Sequence, residues 1–187
     1  GSGLVGSEMC IRDSVATMKS SFKEIRIGNP LLYTPEDYEA VIAAIIKNGA
    51  KEGATLLVGH GTYTPATAQY AMLDYMLKEK GFKDYSVGTI EGYPTFDTMV
   101  AQVKANGMKK VLLMPFMFVA GDHAKNDIAG DWKEELEKKG YEVSVFMEGL
   151  GQNPDIQKIF IEHARFMAKH KMIDIVDKKK AYAVEKD

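Results

Sequence analysis

The segment TLLVGHGTYTP, residues 55–65, carries the pattern that decides the fold. Thr55 to Val58 is a short apolar run, which is typical of a strand buried on both faces. Gly59-His60-Gly61-Thr62 follows as a tight turn, and Thr64-Pro65 then supplies the hydroxyl N-cap and the first-turn proline of a helix. The segment therefore predicts a strand, a turn and a helix in succession, with the helix reaching about Lys80.

The same alternation of strand and helix recurs along the chain. Further strands are predicted over Tyr85–Ile90, Lys110–Met114 and Tyr141–Met147. Further helices are predicted from Thr34-Pro35 to Gly49, from Thr95 to Asn106, from Ile128 to Lys139 and from Asn153-Pro154 to Lys171. Because strands that alternate with helices form parallel crossovers, we expect an α/β domain. Its architecture is a doubly wound, mostly parallel four-stranded sheet with helices on both faces.

Composition and charge exclude several function classes. The 187 residues include 24 Lys and Arg and 26 Asp and Glu. The chain therefore has no overall positive charge to bind nucleic acid or an anionic membrane surface. The longest apolar run, Val111 to Ala120, has ten residues and contains a proline. A membrane-spanning helix needs roughly 20 apolar residues. The single cysteine, Cys10, excludes an internal disulfide or a multi-cysteine metal site, and we expect a cytoplasmic protein.

The two ends of the chain differ in character from its centre. We interpret residues 1–18, GSGLVGSEMCIRDSVATM, as a segment derived from a tag or adapter. Residues 19–171 form the α/β domain with a lead-in helix. Residues 172–187 have little apolar surface to offset the entropy of ordering, so we expect a polar, frayed C-terminal tail.

Three residues that follow successive predicted strands form the candidate metal site. His60, Glu91 and His123 lie 31 and 32 residues apart, each spacing being one strand–helix unit. Ligands of open α/β sheets bind beyond the carboxyl ends of the strands, so these side chains are expected to share one edge. Two imidazoles and a carboxylate can bind a divalent cation and leave positions open. The alternatives are a turn histidine bonded to backbone and a carboxylate that caps a helix.

The surroundings of this edge favour a flat apolar ligand over a nucleotide. The predicted lining residues are Tyr63, Tyr93, Phe116, Met117, Phe118 and Leu150. Lys125 could meet an acidic group of the ligand, and a solvated loop lysine is the alternative. For about half of the apolar ones, a role in the core is the alternative. The sequence contains no GxGxxG after the first strand, no GxxxxGK[ST] and no GxSxG, so no nucleotide cofactor or serine nucleophile is expected. His163 and His170, on the last helix, are interpreted as surface or boundary residues.

Four segments together resemble the anaerobic sirohydrochlorin cobaltochelatase family. They are VGHGTYTPA around His60, IEGYP around Glu91, LLMPFMFVAGDHAKNDIAGD around His123, and EGLGQNPDIQKIFIEH at the last helix. The resemblance implies a chelatase-like fold and the insertion of Co(II) into sirohydrochlorin without ATP, on the way to cobalamin. It also implies that His60, Glu91 and His123 are the metal-binding and catalytic residues.

The resemblance also implies a difference in length. Members of the family usually have two similar α/β domains that enclose the tetrapyrrole, and this chain is similar to the carboxyl-terminal one. A homo-oligomer of such domains is therefore expected to complete the cleft. Two alternatives stay open, namely a non-catalytic tetrapyrrole or metal carrier and a truncated chelatase domain that is inactive alone. Ni(II), Fe(II) or Zn(II) could take the place of Co(II), because N/O ligands alone do not select cobalt.

Overall fold

A four-stranded parallel sheet forms the centre of the fold in the computed structural model, which describes residues 15, 17–26, 28–121 and 125–169. The strands are β1 (Ala54–Gly61), β2 (Tyr85–Glu91), β3 (Lys110–Phe116) and β4 (Glu142–Val145). Their order across the sheet is β2-β1-β3-β4, and every neighbouring pair is parallel. The predicted doubly wound α/β architecture is confirmed.

Helices cover both faces of this sheet. They are α1 (Pro35–Ile45), α2 (Ala68–Glu79), α3 (Phe96–Ala105), α4 (Lys133–Lys138) and α5 (Pro154–Lys169). A π-helical segment, Lys125–Trp132, leads directly into α4, and a 3-10 turn, Pro65–Thr67, leads into α2. One core cluster joins α1, α2 and α5 to the sheet, and a second joins α3 and the Lys125–Lys138 segment to the opposite face.

The start of α1 shows how the predicted helix signals work. The Thr34 hydroxyl accepts the Asp37 N–H at 3.3 Å, and the Asp37 carboxylate accepts the Thr34 N–H at 2.8 Å. This reciprocal pair satisfies two amides that the helix itself leaves free. Pro35 fills the first position of the helix, where a missing N–H costs nothing.

Several predicted boundaries are wrong, and sheet pairing explains the most informative ones. β1 continues through His60 to Gly61, because Gly61 still pairs with Glu91 on β2. β3 continues through Pro115 to Phe116, beyond its predicted end at Met114. The last β3 residue paired with β4 is Leu113, so the proline falls beyond the shorter neighbour, where no ladder N–H is needed.

The helix predicted from Ile128 also begins earlier, because the π-helical segment already starts at Lys125. β4 is shorter than predicted, ending at Val145. None of the helices in the described ranges is long and apolar enough to cross a bilayer. The tail 172–187 and most of the segment 1–18 lie outside the described residues, so the interpretations given to them stay predictions.

Candidate metal and tetrapyrrole site

The strand order creates one crevice at the carboxyl edge of the sheet, between β1 and β3. From β1 the chain turns into α2 on one face, whereas from β3 it turns into the Lys125–Lys138 segment on the other face. Connections that leave neighbouring strands toward opposite faces open a cleft, which is where ligands of doubly wound sheets bind. His60 stands at the β1 side of this cleft, and the segment that leads to His123 leaves from the β3 side.

The imidazole of His60 is exposed, and the backbone of the next residue orients it. Its Nδ1 lies 3.2 Å from the Gly61 carbonyl oxygen. Because a carbonyl can only accept, Nδ1–H is the donor, and in the neutral form of the imidazole Nε2 then carries the lone pair. The predicted alternative of a backbone-bonded turn histidine is therefore compatible with a ligand role. A backbone partner of this kind is what orients a metal-binding histidine.

The two glycines beside His60 fix the path of the strand end. A Cβ on Gly59 would lie 2.2 Å from Cε1 of Tyr70, so the phenol ring occupies the space of a side chain. Gly61 has φ +78°, and a Cβ there would lie 1.7 Å from the Glu91 carbonyl oxygen. Only glycine tolerates both the backbone angle and this approach. The sequence GHG is thus set by packing on both sides of the imidazole.

Tyr70 supports the same strand end from inside the core. It is 1% exposed, and its hydroxyl accepts the Gly61 N–H at 3.4 Å. Burial raises the pKa of this hydroxyl, so it stays neutral at physiological pH. Tyr70 lies in the helix that the sequence predicts up to about Lys80, and no role at the strand end was predicted for it. A tyrosine at that position with two glycines upstream was the available signal for its second role.

Glu91 lies at the end of the neighbouring strand, close to His60 along the sheet edge. It is the last residue of β2, is half-buried, and pairs in register with Gly61, the residue after His60. Gly92 follows with φ +84°, and a Cβ there would lie 2.2 Å from the Thr62 carbonyl oxygen. The loops after β1 and β2 therefore pack backbone against backbone. The predicted placement of these two residues on neighbouring strands at one edge agrees with this register.

The segment after β3 is held by the loop after β4. The Leu150 N–H donates to the Met117 carbonyl at 2.8 Å, and the Gly151 N–H donates to the Phe118 carbonyl at 2.9 Å. The Phe118 ring also packs edge-on against Phe160, with centroids 5.4 Å apart. These contacts hold residues 117 and 118, and His123 itself lies outside the described residues.

The three-ligand metal site remains a prediction. Among the residues that the structure describes, no group of three His, Cys, Asp or Glu side chains is arranged to hold a metal ion. His123, the predicted third ligand, is not among those residues, and neither is the side chain of Lys125.

The predicted apolar lining separates into two groups by exposure. Phe116, Met117 and Leu150 are 0%, 6% and 5% exposed and belong to the core clusters. Tyr63, Tyr93 and Phe118 are 83%, 51% and 40% exposed, so they are the described lining residues that a ligand could reach. The difference arises because β3 extends through Phe116, whose ring packs edge-on against Tyr70 at 6.3 Å between centroids.

Comparison with known proteins identifies the family. The family model described as cobalt chelatase (CbiK) matches residues 6–169. The chain belongs to this cobalt chelatase family. It is 34% identical over 163 residues to the sirohydrochlorin cobaltochelatase of Salmonella typhimurium, across 83% of this chain and 61% of the relative. It is 31% identical over 150 residues to the sirohydrochlorin cobaltochelatase CbiKC of Nitratidesulfovibrio vulgaris, across 76% of this chain and 53% of that relative.

Solved structures of chelatases share the fold of this chain. SirB from Bacillus subtilis with Fe3+ matches 87% of this chain and 67% of its own, with a TM-score of 0.61 and 17% identity. The sirohydrochlorin chelatase SirB of Bacillus subtilis subspecies spizizenii, in complex with cobalt, matches 89% and 66%, with a TM-score of 0.58 and 15% identity. The chelatase-like α/β fold is thereby confirmed. The chain spans about three-fifths of the length of the Salmonella typhimurium relative and about half of the length of the Nitratidesulfovibrio vulgaris relative.

Proposed function

We propose that this chain inserts Co(II) into sirohydrochlorin without ATP, in the cytoplasm and on the route to cobalamin. The observation that carries the proposal is the His60 imidazole, held by Gly61 with Nε2 free, at the cleft between β1 and β3. The family and the activity named for both cobaltochelatase relatives support it. The substrate metal would be bound by His60, Glu91 and His123.

The chemistry asks for a weak metal site beside proton acceptors. When Co(II) enters a free-base tetrapyrrole, two N–H bonds of the macrocycle break and both protons must leave as the ion exchanges water for pyrrole nitrogens. A neutral imidazole with a pKa near 6.5 in ordinary surroundings can either bind the ion or accept a proton at neutral pH. In the proposal His60 and His123 do both in turn, while the Glu91 carboxylate supplies negative charge to the ion or accepts a proton.

The metal must also leave the protein with the product. A site of two imidazoles and one carboxylate binds divalent ions less tightly than a closed four-ligand site, because coordination positions stay open to the substrate. The same ligands bind Ni(II) at least as well as Co(II). We therefore include Ni(II), Fe(II) and Zn(II) as competing metal substrates.

A tetrapyrrole would meet the exposed aromatic residues at the sheet edge. Tyr63, Tyr93 and Phe118 offer flat apolar surface in the loops after the first three strands. Lys125 is proposed to meet a carboxylate of the macrocycle. We also propose a homo-oligomer, in which a second copy contributes to the tetrapyrrole cleft.

Visible spectroscopy under multiple turnover tests the proposal. Sirohydrochlorin and Co(II) are mixed with a catalytic amount of protein, and the rate is compared with the reaction without enzyme. We expect acceleration that is lost in His60→Ala and His123→Ala and strongly reduced in Glu91→Gln. Glu162→Gln is the matched carboxylate control, because Glu162 is exposed on α5, and it should keep the full rate.

Two other functions predict different outcomes in the same assay. A tetrapyrrole or metal carrier would bind one equivalent and show no turnover. A domain that is inactive alone would show neither, and turnover would appear when the remaining part of a full-length relative is added. Either result would contradict the proposal that this chain is sufficient.

A further inference from the structure

One threonine hydroxyl joins the connection that follows β1, the strand of His60, to the loop that follows β2, the strand of Glu91. Thr67 ends the 3-10 turn before α2, and its Oγ1 accepts the Tyr93 N–H at 2.9 Å. The same hydroxyl donates to the Tyr93 carbonyl oxygen at 2.7 Å. Both backbone polar groups of the residue two positions after Glu91 therefore depend on one side chain of the preceding loop.

The contact lies where the two loops come closest. A Cβ on Gly92 would lie 2.2 Å from the Thr62 carbonyl and 2.8 Å from the Thr67 hydroxyl. At Gly92 the two backbones therefore approach each other without an intervening side chain. A group that donates and accepts at once is needed to satisfy Tyr93, and among uncharged aliphatic side chains of this size only a hydroxyl does this.

We propose that Thr67 is a positioning residue that fixes the distance between His60 and Glu91. This inference rests on the proposed function, in which those two side chains bind the same metal ion. Thr67 touches neither the metal nor the tetrapyrrole in this account. It acts by holding the end of β2 and its loop against the end of β1, so that the carboxylate keeps its place relative to Nε2 of His60.

The energetics separate positioning from stability. Both hydrogen bonds of Thr67 are at an exposed site, where water can replace a lost partner and the cost to folding is small. Metal sites are far more sensitive to geometry, and loss of residues that orient ligands lowers metal affinity or activity by about 10- to 100-fold. Removing the hydroxyl should therefore impair the reaction much more than it impairs folding.

Three variants test this role. Thr67→Val keeps the shape of the side chain and removes both hydrogen bonds, whereas Thr67→Ser keeps the hydroxyl and removes only a methyl group. Thr98→Val is the matched control, because Thr98 is also half-buried, lies close to Tyr93 and Pro94, and has its hydroxyl hydrogen-bonded to the Thr95 hydroxyl, at 3.0 Å. The measurements are kcat/KM for Co(II), the urea midpoint of unfolding, and amide hydrogen exchange at Tyr93.

We expect Thr67→Val to lower kcat/KM for Co(II) by about tenfold or more, with faster exchange at Tyr93 and an unchanged urea midpoint. Thr67→Ser should restore both the rate and the slow exchange, and Thr98→Val should resemble the unmodified chain. Normal turnover in Thr67→Val would overturn the inference and leave the proposed function intact. If the unmodified chain shows no turnover, the proposed function fails. The contact between the loops is tested independently of turnover, because unchanged amide exchange at Tyr93 in Thr67→Val would overturn it.

Discussion

Replacing Asp74 with alanine is expected to lower the free energy of unfolding by about 3–5 kcal/mol. Asp74 lies on α2 against the outer edge of β2, and its side chain is 11% exposed. One carboxylate oxygen accepts the Val87 N–H at 2.9 Å and also pairs with Lys78, and the other accepts the Gln102 side-chain N–H at 2.9 Å. Val87 belongs to an edge strand, so no neighbouring strand can take over its amide.

The size of this loss in the free energy of unfolding follows from the groups that Asp74→Ala would leave without a partner. An unsatisfied buried amide such as Val87 N–H costs about 1–3 kcal/mol, and hydrogen bonds to charged groups are worth about 1.5–3 kcal/mol each. Burial lowers the pKa of Lys78, and Asp74 opposes that shift. Without the carboxylate, the ammonium group stays partly buried with only the Gln102 oxygen, at 2.9 Å, as a partner. Rearrangement and entering water reduce the total, which gives the stated range.

Asp74→Asn is the informative second variant. The amide keeps the volume and one acceptor oxygen for Val87, but it loses the charge that balances Lys78. It also points an N–H group toward the Gln102 N–H group, unless one of the two amides turns over. An intermediate loss of about 1–3 kcal/mol is expected.

Urea unfolding at equal m-values measures these losses, and amide exchange at Val87 shows where they arise. Glu39→Ala is the control, because the Lys80–Glu39 ion pair has side chains 33% and 58% exposed and should contribute less than about 1 kcal/mol. If Asp74→Ala costs no more than Glu39→Ala, with Val87 exchange unchanged, the carboxylate does not stabilise the edge of β2 and the reasoning is refuted.

Three further predictions concern packing and pH. Gly59→Ala should lower the free energy of unfolding, measured in urea, by about 1–3 kcal/mol, because the added methyl group would meet the buried Tyr70 ring. An unchanged free energy of unfolding would contradict this and mean that the ring moves freely. Burial, with a smaller contribution from Asp37, raises the pKa of Tyr38 from 10.0 to about 12. The folded state therefore holds this proton longer than the unfolded state, and the associated stability is present below pH 10 and lost as pH rises toward 12. Tyr38→Phe should flatten that part of the stability profile, and a tyrosinate absorbance titration that shows no late step would contradict it. His163→Ala should cost about 1–3 kcal/mol, since the imidazole pairs with Asp37 at 2.8 Å and both side chains are 14% exposed; a loss below 0.5 kcal/mol, roughly that of a surface substitution, would disprove the contribution.

The sequence predicted the strand–helix order correctly because hydrophobic runs and helix caps are local signals. It predicted strand ends poorly, because pairing with a neighbouring strand is not local. The sequence predicted a turn at Gly59 and Gly61, since glycine is depleted in strands. β1 nevertheless continues through both residues and pairs with β2. The third strand was predicted to end at Met114, before Pro115. It continues through Pro115 because that residue lies beyond its last pair with the shorter β4.

The candidate site shows the same division. The order of the strands along one edge follows from α/β connectivity, so the positions of His60 and Glu91 could be anticipated. The sequence did not predict which of the lining side chains face the core, because this depends on the alternation of side chains along the strand and on how far β3 extends. Phe116 is buried for this reason, although it stands only two residues before the exposed Phe118.

The supports of the two proposed imidazole ligands differ in a way that bears on how the site assembles. His60 is supported by Gly61 and Tyr70, both within ten residues of it, and its strand end also pairs with β2 through Gly61 and Glu91. The segment that leads to His123 is supported by the amides of Leu150 and Gly151, which follow β4. Because those amides follow β4, a metal site that needs both histidines depends on contacts from all four strands, whereas the supports of His60 come from β1, α2 and β2.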